Sequence, residues 1–130
     1  MEQLLIIISM LAIIQYVIFG ALVGRSRGKY NVAAPATSGH EIFERYNRVH
    51  QNTLEQLVVL LPGLWAFGFT INEYLAAGLG IVYLIGRVIY LNAYVKDPVG
   101  RGLGMIITVI PSYILVLGGL VGAVLMLTGK

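Results

Sequence analysis

Residues 40–61 read HEIFERYNRVHQNTLEQLVVLL. The segment from His40 to Gln56 mixes glutamates, arginines, a histidine and an asparagine; Leu57 to Leu61 is wholly apolar. Ser38 stands three residues before Glu41, a capping-box spacing, so a helix is expected to begin near Gly39. Nothing interrupts it where polar gives way to apolar. A charged helix that runs on into an apolar one is a helix entering a membrane, and that junction decides the fold class. The apolar part continues to about Ile71 through Pro62 and Gly63, which membrane helices tolerate when neighbours re-satisfy the backbone.

The rest of the chain agrees. Of its 130 residues, 58% are hydrophobic and 12% charged, against about 45–50% and about 25% in ordinary soluble domains. A soluble protein this small has no core large enough to hide that much apolar surface. Leu4 to Val23 is an apolar run of about the length that spans a bilayer. Glu2 precedes it and Arg25, Arg27 and Lys29 follow it, the reverse of a cleaved leader, so the reading is a retained helix. Tyr74 to Tyr94 and Met105 to Thr128 are further apolar stretches. The expectation is an all-α membrane protein: a single domain over residues 1–130, with four transmembrane helices at about 3–24, 39–71, 73–96 and 103–128. Short connections make it an up-down-up-down bundle. Residues 24–39 and 95–102 are expected as loops.

Lysine and arginine placement orients it. Arg25, Arg27, Lys29, Arg45 and Arg48 flank the first loop and Lys96 and Arg101 the third, while the second has only Glu73. Loops one and three are therefore expected in the cytoplasm and both termini outside. A net charge of +3 gives no reason to expect a nucleic-acid partner. The lack of cysteine excludes disulfides, thiolate metal sites and a protein thiol nucleophile, so thiol chemistry here needs a thiol brought by a ligand. No Ser-His-Asp set, P-loop or paired-His metal spacing is present, and no metal is expected.

Two stripes carry the polar chemistry. On helix two, Arg45, Arg48, Asn52 and Glu55 fall within roughly 80° at about 100° per residue, with Glu41 and Gln51 beside them and His50 on the other side. On helix three, Tyr83, Arg87, Tyr90 and Tyr94 fall within roughly 60°. A charged Arg87 in hydrocarbon needs the protein interior and a partner, and Glu55 is the expected one. Arginine forks suit carboxylates, and Asn52 and Glu55 suit an amide or ammonium, so a peptide-like anion fits the mixture. Plainer readings stand beside these. Arg25 and Lys29 serve equally as topology anchors, Tyr30 as an aromatic belt residue, and His50 as a structural side chain at a membrane edge. Gly78, Gly80, Gly118, Gly119 and Gly122 read as close-packing positions between helices.

The run Phe43 to Glu55, together with Gly86-Arg87-Val88-Ile89-Tyr90-Leu91-Asn92-Ala93-Tyr94 and the following Arg101, resembles the MAPEG family, membrane-associated proteins of eicosanoid and glutathione metabolism. The Val32 to Pro35 loop and the four-helix layout are similar too. The resemblance implies a bacterial-type member of the inner membrane, a homotrimer with glutathione as cosubstrate held between adjacent subunits. It implies a transferase or peroxidase of detoxification that acts on small lipophilic electrophiles reached from membrane lipid. By position, Arg27, Arg48, His50, Asn52, Glu55, Tyr90 and Tyr94 would bind glutathione, and Arg101 would stabilise its thiolate. Two departures qualify the match: Arg101 lies between Gly100 and Gly102, and Gln56 stands where some catalytic members have tyrosine. The alternative is a non-catalytic lipid-binding or scaffold protein of the same family.

Overall fold

The computed structural model describes residues 2–129. Four long helices follow one another: α1 Gln3–Tyr30, α2 Glu41–Thr70, α3 Glu73–Lys96 and α4 Gly102–Leu127, the last entered through a 3-10 turn at Pro98–Arg101. Each α-helix is long and apolar enough to cross a membrane, and the described residues contain no strand. At 1.5 Å per residue the 30 residues of α2 span about 45 Å, against about 30 Å of hydrocarbon. Its polar first turns therefore stand beyond the apolar slab, where the ends of α1 and α3 meet them.

The central pair is α2 and α3, each packed on all three other helices. Leu5, Ile8, Leu57, Leu60, Leu64, Phe67, Ala76 and Leu115 form the main core. The outward faces stay apolar: Ile7, Ile14, Val17 and Ile18 on α1 and Leu117, Leu120 and Val121 on α4 are exposed. Water would penalise such a surface, and a bilayer solvates it. With little hydrophobic gain between helices in lipid, close packing takes over. A Cβ on Gly104 would lie 2.5 Å from the Tyr90 backbone, and one on Gly86 would lie 2.8 Å from that of Ile107 and Thr108. The backbones of α3 and α4 touch at both points. Of the glycines expected to pack, Gly80 meets Ile8, Gly118 meets Phe67, Gly119 meets Ala66 and Gly122 meets Thr70. Gly78 faces open space, with nothing within 4 Å, so its expected packing role does not hold.

Two local expectations are corrected. The first helix does not stop at Gly24 but continues to Tyr30. Arg27 and Lys29 occupy its last turn, where cations complement the helix dipole. Asn31, at φ 57°, supplies the left-handed residue that ends it, and the Val32 amide closes back on the Arg27 carbonyl at 3.0 Å. Val23, Val32 and Phe43 then pack together. The cap of α2 is His40 rather than Ser38: its Nδ1 accepts from the Ile42 amide at 3.1 Å. Glu44 Oε2 accepts from the Gly39 amide at 3.0 Å. The imidazole can serve because its ring stacks on Tyr30 at 3.9 Å, a surface that exists only because α1 runs on.

Candidate functional site

The polar half of α2 faces α3 on one side and α1 on the other, and the candidate residues divide between them. Arg87 sits on the α3 side, wholly buried. Its Nη2 donates to Asn52 Oδ1 at 2.9 Å and to Thr53 Oγ1 at 3.0 Å, and its guanidinium lies 4.4 Å from the Tyr90 ring centre, a cation–π distance. The expected Arg87–Glu55 pair is not formed. Arg87 reaches Asn52 and Thr53, nearer the polar start of α2, and Glu55 instead meets Arg48 at 3.6 Å. Asn52 Nδ2 lies 3.4 Å from Glu55 Oε1, a long hydrogen bond. A continuous polar chain thus leads from Thr53 and Arg87 through Asn52 and Glu55 to half-exposed Arg48.

Tyr90 is the meeting point. It is buried against Phe19 and Val49, and its ring tilts against Tyr94 at 5.4 Å. Arg87 lies over its ring, and Arg48 lines a pocket with Tyr94, one turn further along α3. Arg101 is exposed, in the 3-10 turn that leads directly into α4. Its Nη1 donates to the Pro98 carbonyl at 2.9 Å. Gly102 is helical, so no break follows Arg101. Asp97 fixes the turn by accepting from the Val99 amide at 3.1 Å. Arg48 pairs with Glu55 and shares a pocket with Glu41, Glu44 and Tyr94, so this end of the bundle offers both cationic and anionic groups to a zwitterionic ligand.

On the α1 side, His50 stacks on Tyr16, ring centres 4.4 Å apart and nearly parallel. It lies so close to Gly20 that a Cβ there would fall 3.0 Å from Nε2. Arg27 lies 4.6 Å from the Phe43 ring centre and donates from Nη1 to the Ala36 carbonyl at 2.8 Å. Within one chain these two residues face away from Asn52 and Glu55, as seven- and two-residue spacings from Phe43 and Asn52 dictate on a helix. Arg45, grouped with the stripe by spacing, has another task. It pairs with Glu41, and its Nη1 donates to the last carbonyls of α3, Val95 at 2.9 Å and Lys96 at 3.1 Å. Arg45 thus ties the start of α2 to the end of α3.

Three partners escaped the sequence reading: Thr53, Tyr16 and Phe43. Thr53 had a usable signal, since an arginine on an apolar stripe requires acceptors and Thr53 adjoins Asn52. Tyr16 and Phe43 read as ordinary apolar positions.

Four membrane-crossing helices with a polar, cationic site at one end define an integral-membrane helical bundle. Residues 5–121 match the MAPEG family, and the chain belongs to it. An uncharacterized protein of Synechocystis sp. is 45% identical over 114 residues, 88% of this chain and 83% of that one. Microsomal glutathione S-transferase 2 of Homo sapiens is 38% identical over 70% of this chain and 62% of its own length. Leukotriene C4 synthase of Cavia porcellus is 33% identical over 72% and 63%. The match thus covers less than two thirds of the length of these last two relatives.

Proposed function

We propose that this chain is an integral-membrane glutathione-dependent transferase for lipophilic electrophiles, with peroxidase chemistry open to the same thiolate. The observation that carries the reading is the polar chain from Arg87 through Asn52 and Glu55 to Arg48, at the end of the bundle where the turn bearing Arg101 enters α4. Kinship with a glutathione S-transferase and a leukotriene C4 synthase supports glutathione as the ligand. Glutathione carries two carboxylates, an ammonium and a thiol. Arg48 and the tyrosines suit the carboxylates and Glu55 the ammonium. Arg27 at the end of α1 and His50 on the far face of α2 would complete the cradle from a neighbouring copy in a homotrimer. The polar end would face the cytoplasm of a bacterial inner membrane, with both termini outside.

Arg101 would supply the activation. A free thiol has a pKa near about 8.5, and a guanidinium within hydrogen-bond reach favours the thiolate. To reach the sulfur, Arg101 gives up the Pro98 carbonyl, which its exposure makes easy. The thiolate then attacks an electrophilic carbon, a C–S bond forms, and the displaced group leaves with the bonding electrons. With a hydroperoxide, two glutathione molecules are oxidised to the disulfide while the peroxide becomes alcohol and water.

Calorimetry and ultraviolet absorbance test this together. The protein in detergent should bind glutathione and show a thiolate band that Arg101→Ala removes. A well-folded oligomer that binds no glutathione defeats the proposal. The second reading, a non-catalytic lipid-binding or scaffold protein, is favoured by the hydrogen bond that turns Arg101 back onto its own turn. Binding without a thiolate band would select it.

A further inference from the structure

Arg87 is the least usual charge in the molecule. It is wholly buried on α3, and among the described residues no carboxylate pairs with it. Of its three guanidinium nitrogens, Nη2 alone is engaged, by Asn52 Oδ1 at 2.9 Å and Thr53 Oγ1 at 3.0 Å. Nε and Nη1 have no hydrogen-bond partner among the described residues. The planar fork that suits bidentate pairing is not used that way here. This one directs a single nitrogen at two neutral oxygens.

The consequence lies in the carboxamide. Asparagine has an accepting end and a donating end of nearly identical shape, while a guanidinium can only donate. Arg87 therefore dictates which end points inward. With Oδ1 held inward, Nδ2 is turned towards Glu55, 3.4 Å from Oε1. One N–H of that nitrogen is directed at Glu55, and the other is left for a ligand. Were the amide reversed, its oxygen would face the Glu55 carboxylate and repel it.

We propose that Arg87 is the positioning residue of the ligand site. It acts through Asn52, holding the amide so that a donor faces the ligand, and it thereby selects an acceptor, a peptide carbonyl or carboxylate, for that position. The ammonium of the ligand is left to Glu55. The proposal rests on the reading of Arg48, Asn52 and Glu55 as a glutathione cradle. Thr53 is the second anchor that keeps the guanidinium on Asn52.

The test is a glutathione titration of the full chain in detergent, with melting followed by the fluorescence of Trp65. Absence of binding by the unaltered protein would overturn the cradle reading itself, before any variant is compared. Given binding, Asn52→Ala and Arg87→Gln should each weaken it by about tenfold, because glutamine can accept as well as donate and no longer forces the amide. The double variant should be no weaker than either single one. A loss near the product of the two, about a hundredfold, overturns the proposal. Arg87→Lys, again a pure donor, should restore binding to within about threefold; affinity as low as that of Arg87→Gln counts against it. Should Arg87→Gln fail to fold, Asn52→Asp decides. It keeps an oxygen for Arg87 but has no N–H to give, so binding should fall by at least about tenfold with melting unchanged or raised. Undiminished binding in Asn52→Asp overturns the proposal.

Discussion

The two sides of α2 are held by different forces. Towards α3, Arg48, Asn52, Thr53, Glu55 and Arg87 form a chain of directional contacts that ends in a buried guanidinium. Towards α1, His50 lies flat on Tyr16 and Arg27 lies over Phe43. Hydrogen bonds fix which atom faces which, and a buried one that is broken leaves its partner stranded. Stacking fixes the plane of a ring and leaves its polar edges to be engaged by something else. The α3 side is therefore both scaffold and site, whereas on the α1 side Arg27 gives one hydrogen bond to the loop that follows α1 and the His50 ring is held by stacking. A cradle built from both sides needs a second copy to bring them together.

The sharpest way to break this contrast is to push α4 away from the α3 side. Gly104→Val would drive a branched side chain into the Tyr90 backbone and should cost about 3 kcal/mol or more. Size-exclusion chromatography in detergent should show loss of folded protein. A normal elution profile would mean that Tyr90 does not depend on this approach. Next in size is Asn52→Leu, which removes one of the two acceptors of Arg87 and should destabilise by about 2 kcal/mol. Trp65, bonded to Ser9 at 2.8 Å, reports the melt from the opposite end of the α1–α2 contact.

Arg45→Ala separates scaffold from ligand within the α3 side. It frees the carbonyls of Val95 and Lys96 and should cost about 1 kcal/mol, with glutathione affinity unchanged in calorimetry. A fall in affinity would return Arg45 to the site. The smallest stability effect belongs to the α1 side. His50→Phe retains the stack on Tyr16 and should alter stability by less than about 0.5 kcal/mol. If His50 completes a neighbour's cradle, glutathione binding should nonetheless weaken severalfold. Unaltered binding would leave His50 as a packing residue and the contrast as one between site and wall.

How much of this was legible without coordinates follows from the range of each interaction. Helix count, order and approximate length were readable, because hydrophobic run length and turn residues act locally. The division of α2 into two faces was also readable: a period of 3.6 residues places His50 opposite Asn52 whatever the tertiary structure. Helix ends were less so. The expected stop at Gly24 failed because Asn31 and the Val23–Val32–Phe43 contact carry α1 to Tyr30, and that contact in turn brings Tyr30 under His40 and decides the cap of α2.

Partner choice is where the sequence was silent. Arg87 needed an acceptor from somewhere, and charge alone suggested Glu55. The answer depends on how deep α3 sits against α2, which is set by packing along whole helices, including the close approach of α4 to α3 at Gly86, next to Arg87, and at Gly104. That depth puts Arg87 level with Asn52 and Thr53 and leaves Glu55 to Arg48. The same register takes Arg45 out of the stripe and sets it on the end of α3. Residue types and periodicity determined a membrane bundle with a cationic, amide-bearing site at one end; packing between helices decided which atom of that site faces which, because a hydrogen bond is made or lost within an ångström and no local rule fixes a helix's depth to that tolerance.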